Sequence, residues 1–207
     1  NYALTSVYKD TEIDGEFPIL EDERGTYILN SKDMCLINHL KELIDAGVTS
    51  FKIEGRMKTP YYVATTVNAY RRAIDDLMNN RKPSFDYVKE LEKSSHRKFT
   101  TGFYFHADDK TNTESATPVQ SHEFVAIVLE DAKDGYVLVE ERNKFVLGEE
   151  LEVLSPNSCF NEKILLSEIK DENDNLVEVA NKVKQRLLIK TDLPLKQNDI
   201  LRKKVGI

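Results

Sequence analysis

Phe51-Lys52-Ile53-Glu54-Gly55-Arg56 is the stretch on which the fold reading turns. With Val48-Thr49-Ser50 before it, the run predicts a strand over 48–54. Side chains alternate across a strand, so Phe51 and Ile53 share one face and Lys52 and Glu54 the other. If the apolar pair meets covering helices, Lys52 and Glu54 point inward at the strand's carboxyl end, where parallel-barrel active sites are built. Gly55 permits a sharp exit, and Arg56 then sits at the rim, able to fork onto a carboxylate or phosphate. Lys52, Glu54 and Arg56 are therefore the candidate catalytic residues; the competing reading is a solvated ion pair.

The sequence on either side of this strand predicts helices. Ser31 is placed to cap the first, because its hydroxyl can accept an orphan N–H of the opening turn. Leu36, Ile37, Leu40, Leu43 and Ile44 make one apolar stripe, and Gly47 stands where a left-handed residue ends a helix. After the strand, Thr59 is the expected cap and Pro60 the first helical residue, where a missing N–H costs nothing. Val63, Val67, Tyr70, Ile74 and Leu77 predict that helix's buried face. Ser84 is read as the cap of a shorter helix reaching about Ser94. Helix–strand–helix with short connections is the grammar of a parallel α/β domain. One or two such units cannot cover both faces of a sheet, and the chain opens Asn1-Tyr2-Ala3-Leu4 without Met or leader, so the rest of that domain is expected upstream.

Before the first helix, residues 1–30 read as extended pieces and turns. Residues 107–118 are small, polar and aperiodic, the best linker in the chain. From His122 onward the period changes to two, over 123–130, 135–142, 149–154, 160–170, 176–181, 186–191 and 199–204. Asp134-Gly135 and Asp174-Asn175 are hairpin signals. Many short strands in so little chain predict a closed or nearly closed barrel, since closure removes exposed edges. The expected organisation is α/β plus all-β: the end of a catalytic α/β domain over 1–106, a linker over 107–118, and a small β-barrel over 119–207.

Composition sets the outer limits. The chain carries 29 Lys and Arg against 36 Asp and Glu, a net charge of −7, so it is no basic nucleic-acid module and any RNA contact needs a local patch. No apolar run reaches the roughly 18 residues that would span a bilayer as a helix, and no membrane partner is expected. Two cysteines, Cys35 and Cys159, sit far apart without a C-x-x-C pair, which fits a reducing cytoplasm. Cys35 falls in the first turn of the helix expected after Ser31, where the helix dipole favours a thiolate suited to reactivity or metal ligation. His39, four residues on, is a candidate second ligand; the alternative is a small residue flanking the apolar stripe. Cys159 reads as a small hydrophobe in or beside a barrel strand.

Taken together, Glu21-Asp22-Glu23-Arg24-Gly25-Thr26-Tyr27-Ile28-Leu29-Asn30-Ser31-Lys32-Asp33-Met34-Cys35, Phe51 to Lys58, Pro60 to Thr65, Tyr70 to Asp75 and Thr101-Gly102-Phe103-Tyr104-Phe105 closely resemble the collagenase-like peptidase family U32. The resemblance covers essentially the whole chain. It implies a (β/α) barrel-like catalytic domain, here represented by its C-terminal fragment, followed by a β-barrel similar to the second domain of translation elongation factors. Family members act in prephenate-dependent tRNA uridine 5-hydroxylation, in ribosomal RNA cytidine hydroxylation and in ubiquinone hydroxylation; the family's name records a collagen-degrading activity. Several hold an iron–sulfur cluster on four cysteines, and Cys35 matches a cysteine common in Gram-positive-type members. The resemblance thus implies Cys35 as an iron–sulfur ligand in a full-length parent, with no cluster held by these 207 residues alone. It also implies a tRNA or peptide substrate bound through that parent, and a paralogous family partner. These residues alone are expected to be inactive and, with apolar helix faces uncovered, to self-associate. The rival readings are a collagenase-like protease and a non-catalytic RNA- or protein-binding module.

Overall fold

The computed structural model describes residues 3–10, 15–22, 25–27, 32–106 and 118–205. Ser31 and residues 107–117 of the expected linker lie outside them. The chain divides into two compact units, Asn1–Leu36 with Ser95–Val119, and Ile37–Ser94 with Gln120–Ile207.

In the first unit, β1 (Ala3–Asp10), β2 (Gly15–Asp22) and β3 (Gly25–Tyr27) form an antiparallel meander in that order. A separate two-residue strand, β4 (Asp33–Met34), pairs in parallel with β5 (Phe99–Thr100). This pairing corrects the helix expected from Ser31. Asp33 accepts the Arg97 N–H on its carboxylate at 3.0 Å, and Cys35 donates its own N–H to the Thr100 carbonyl at 2.8 Å. A backbone committed to that ladder cannot also start a helix, so tertiary pairing overrides the local cap signal.

In the second unit, helical backbone begins with a single 3-10 turn at Ile37–His39 and continues as α1 (Leu40–Asp45). Ile37 and Leu40 are buried, and Gly47 ends the helix at φ +93° as its position predicts. The strand expected over 48–54 is absent. Lys52, Ile53 and Glu54 are exposed and the segment is irregular. Alternation marks a strand only where a neighbour supplies the ladder, and none of the described residues offers one. The β4–β5 contact is the only parallel strand pairing among the described residues, and no (β/α) barrel is formed by them.

Next comes α2 (Pro60–Met78), which starts as its sequence dictates: Thr59 Oγ1 accepts the Tyr62 N–H at 3.2 Å, and Pro60 fills the first turn. Its buried face differs from the expected one. Tyr61, Thr65, Ala69, Ala73 and Asp76 face inward at spacings of four, four, four and three, while Val63 and Val67 are 40% and 47% exposed. Small residues let the helix approach its neighbours closely, and a Val/Val face in that place would hold it off. The following helix, α3 (Tyr87–Leu91), is capped by Asp86 rather than Ser84; the Asp86 carboxylate accepts the N–H groups of Val88 and Lys89 at 3.0 and 3.1 Å.

The remaining strands are β6 (His122–Val128), β7 (Tyr136–Glu141), β8 (Phe145–Val146), β9 (Glu150–Leu154), β10 (Lys163–Leu165), β11 (Ile169–Lys170), β12 (Val179–Ala180), β13 (Arg186–Lys190) and β14 (Ile200–Lys204). Seven of them make one curled antiparallel sheet in the order β10-β9-β14-β6-β7-β13-β11, with β8 and β12 paired separately. The two edge strands, β10 and β11, are consecutive in the chain with only residues 166–168 between them. Period-two alternation holds: Val137 lies opposite Ile189 and Val139 opposite Leu187, all four buried in the sheet's core with Phe145, Leu151, Val153 and Leu201. Asp134 and Gly135, at φ +53° and +81°, form the two-residue hairpin turn their sequence predicts, closed by reciprocal bonds between Lys133 and Tyr136.

Candidate functional site

Glu54 and Arg56 come together in one tight turn. The Glu54 carboxylate accepts the Arg56 N–H at 2.9 Å, and the Lys58 N–H closes the turn on the Gly55 carbonyl at 3.0 Å. Gly55 has no positive φ, and a Cβ there would meet Val63 Cγ2 at 3.4 Å, an ordinary contact, so the turn does not demand glycine. The inward mouth expected for Lys52 and Glu54 is not formed: both are exposed, and Lys52 makes no part of the turn. The Lys58 ammonium lies 4.9 Å from the centre of the Tyr62 ring.

This turn is one wall of an open groove of about 700 Å³. Val63 and Val67 of α2 line it, and Leu154 and Ile200 at the ends of β9 and β14 face them. Arg56, Lys58 and Arg71 reach its rim. Arg71 is held bidentate by Asp75 at 2.6 and 3.1 Å, while Arg72 bonds the carbonyls of Ser155 and Asn157 and lies over the Phe160 ring at 4.1 Å. The exposed valines of α2 thus belong to a groove with an apolar floor and a cationic rim, an arrangement suited to an anionic ligand with an apolar body.

Beside the groove lies a cluster that sequence reasoning missed. Arg202 of β14 is fully buried, on the same face as Ile200 and so away from the sheet's core. Its Nη2 lies 2.7 Å from Glu90 Oε1 of α3 and 2.6 Å from Glu152 Oε1 of β9, and it donates to Asn161 Oδ1 at 2.8 Å. Lys93 completes the set, 2.8 Å from Glu90 and 2.7 Å from Glu152. Two anions and two cations balance, which is how buried charge is tolerated. Burial pushes the Glu152 carboxyl up, but Arg202 and Lys93 outweigh it and hold it below the usual carboxylate range. Burial works against the Arg202 cation too, and Glu90, Tyr61 and Glu152 together raise its pKa above the ordinary value. Tyr61 donates its hydroxyl to the Lys93 carbonyl at 3.0 Å, and burial pushes that phenol up to about 12. No motif announces this cluster. Arg202 sits in Leu201-Arg202-Lys203-Lys204, which reads as an outward basic run, and its partners come from three distant segments.

His122 adjoins the same charges, with Nε2 4.0 Å from Glu152 Oε2 and Nδ1 3.0 Å from Ser121 Oγ. Burial drives its pKa down to about 4, against the opposing pull of Glu152. Ser121 Oγ donates to the Glu92 carbonyl at 3.2 Å. Ser121 Oγ thus lies between the imidazole and that carbonyl, within hydrogen-bond reach of both.

Cys35 is half-buried in the first unit, just beyond the end of β4, and not in the first turn of a helix as expected. His39 pairs instead with Glu42 at 3.3 Å. No three His, Cys, Asp or Glu side chains gather into a metal site among the described residues. An iron–sulfur cluster takes four thiolates and the chain has two cysteines, so these residues alone do not fit one. Cys159 is buried, as its composition predicts, and burial raises its thiol. Among the described residues, no helix is long and apolar enough to cross a membrane.

Known proteins resemble this chain along its length. The tRNA hydroxylation protein P of Escherichia coli is 40% identical over 145 residues, covering 68% of this chain and 32% of its own. The tRNA hydroxylation protein P1 of Bacillus subtilis is 30% identical over 189 residues, 88% of this chain and 44% of its own. A collagenase of Porphyromonas gingivalis is 34% identical over 86 residues, 40% of this chain and 24% of its own. The chain spans about a third of the length of the Escherichia coli relative. Residues 1–114 match peptidase family U32 and residues 120–202 match the peptidase family U32 C-terminal domain. With both regions matched, the chain belongs to peptidase family U32.

Proposed function

We propose that this chain is the C-terminal part of a U32 protein acting in tRNA hydroxylation, specifically the prephenate-dependent 5-hydroxylation of uridine. The observation that supports tRNA hydroxylation is the 40% identity over 145 residues to the tRNA hydroxylation protein P of Escherichia coli; uridine and prephenate are what the family resemblance implies. The groove is consistent with it: Arg56 and Lys58 at its rim are suited to a phosphate or a carboxylate, above a floor that shelters apolar surface. In this reading Arg56 binds the anionic group, Glu54 fixes the turn that presents it, and Lys52 adds positive charge nearby. Any iron–sulfur cluster would take Cys35 together with thiolates from outside these 207 residues.

The peptidase reading draws on the collagenase similarity and on the line Ser121–His122–Glu152. The similarity to the hydroxylation protein is the longer and the higher of the two, 40% over 145 residues against 34% over 86, which makes hydroxylation the better supported activity. Mass spectrometry of tRNA nucleosides from cells lacking the gene for this chain decides between them. Loss of 5-hydroxyuridine derivatives is the expected result; intact derivatives with lost gelatin cleavage would establish the peptidase instead.

A further inference from the structure

We propose that Arg202 is a positioning residue: through the buried ion cluster it holds the first turn of α2, and with it the Glu54–Lys58 turn, at the groove. The inference rests on the reading above only in taking that turn as a working part of the protein.

The residue type is the first reason. Arg202 is 0% exposed on the face of the sheet where Ile200 packs with Tyr61 and Leu154. A set of apolar side chains of similar volume in place of all four ions would avoid the desolvation cost of the charges, so a buried ion set there is poorly explained by stability alone. What the fork adds is direction. Its Nε and Nη2 fix Glu152 of β9 at 2.8 and 2.6 Å while Nη2 reaches Glu90 of α3 at 2.7 Å. A sheet strand and a helix are thereby set at one separation.

The second reason is where the contacts lead. Lys93, just past α3, bonds both carboxylates, and its carbonyl takes the Tyr61 hydroxyl at 3.0 Å. Tyr61 is the second residue of α2, and its ring stacks on Phe124 of β6 with centroids 5.8 Å apart. Only Thr59 and Pro60 separate it from Lys58. The groove has the Gly55–Lys58 turn on one side and Leu154 and Ile200 of the sheet on the other. Those strand ends neighbour Glu152 and Arg202, so the cluster sets how far apart the groove's walls stand. The region matching the U32 C-terminal domain is then a base for this turn rather than a tethered module.

Hydrogen exchange on the 207-residue chain tests this, comparing Arg202→Met with the Arg202→Met, Glu90→Gln double variant. Arg202→Met should speed exchange over 56–64 about tenfold while Val137–Val139 and Leu187–Ile189 stay within about twofold. The double variant, with one orphaned charge removed, should recover part of that protection. If Arg202→Met does not fold, Arg202→Lys, which keeps the charge and loses the fork, should give the same regional pattern at smaller size. Uniform acceleration through the strands, or unchanged exchange over 56–64, would overturn the proposal. In cells lacking the gene, complementation with the Arg202→Met form should restore the protein level but not 5-hydroxyuridine. Should deletion itself leave 5-hydroxyuridine intact, the tRNA reading fails, and the exchange pattern still decides the positioning role.

Discussion

Tyr87 of α3 donates its hydroxyl to Asp76 Oδ2 of α2 across 2.8 Å, both residues buried, and Arg81 Nε stands 3.0 Å from the other carboxylate oxygen. Burial and the carboxylate push the phenol up to about 12, so it remains a donor throughout the physiological range. A hydrogen bond to a charged group contributes about 1.5–3 kcal/mol. Tyr87→Phe should therefore lower stability by about 1–2 kcal/mol, since Arg81 still pairs Asp76. Urea unfolding measures it, and an unchanged midpoint would show that the bond contributes nothing net.

Gly55 offers a cleaner separation of folding from function. Its backbone is unstrained and a methyl group there meets only ordinary contacts, so Gly55→Ala should change stability by less than about 0.5 kcal/mol. A large fall in melting temperature would mean that the turn needs glycine after all. Lost 5-hydroxyuridine with unchanged melting would show that a ligand approaches this backbone.

Glu54→Gln and Arg56→Lys address the turn's side chains. Arg56 is exposed, and a surface substitution away from buried contacts costs less than about 0.5 kcal/mol, whereas a lost transition-state contact slows a reaction tenfold per roughly 1.4 kcal/mol. The expected result is reduced tRNA hydroxylation in cells with unaltered melting of the purified chain. Normal hydroxylation with both substitutions would remove Glu54 and Arg56 from the mechanism.

His122 predicts acid lability. Its pKa is 6.5 in an unperturbed chain and about 4 in the fold. Between those values the unfolded state binds more protons, so stability falls as pH drops from about 6.5 toward 4. Each unit of difference corresponds to about 1.4 kcal/mol, and screening at a partly solvated site brings the loss to the order of 1–2 kcal/mol. Glu152, whose carboxyl lies below its ordinary range, loses its contribution in the same direction at lower pH. Urea midpoints at pH 7.5 and 4.5 should differ less for His122→Gln than for the native chain; equal differences would place the lability elsewhere.

For Cys35, the measurement is iron and sulfide content after anaerobic purification of the protein in which this chain naturally occurs. Cys35→Ser should lower both if Cys35 is one of a cluster's thiolates. Unchanged content would leave it as a half-buried residue beside the β4–β5 ladder.

The sheet was the most readable part of the sequence. Burial alternates along β7 and β13, with Val137, Val139, Leu187 and Ile189 in the core and Leu138 and Leu188 only partly buried, and Asp134-Gly135 permits the positive φ values its turn requires. The same logic misled over 48–54, because alternation records which faces are apolar and not whether a partner strand is present. Ser31 and Ser84 were plausible caps by type. The ladder at Asp33 and the better-placed carboxylate of Asp86 decided the outcomes, and neither contact is visible without the neighbours in place. The Arg202 cluster was hidden for a related reason: Glu90, Lys93, Glu152 and Arg202 each look like a surface residue in their own segment.

The order of strands across the sheet has a consequence for synthesis. β14, the last of the sheet's strands in sequence, lies inside it between β9 and β6. A nascent chain that has emerged only to about residue 195 has β9 and β6 with no strand to join them. Both then expose ladder groups and core side chains to whatever is nearby. The helices also wait, because the guanidinium that anchors α3 arrives on the same strand. Completion is therefore a late, single event in which the sheet fills its gap and the helical segment docks together, and a stall shortly before residue 200 should give the most aggregation-prone species this chain can make.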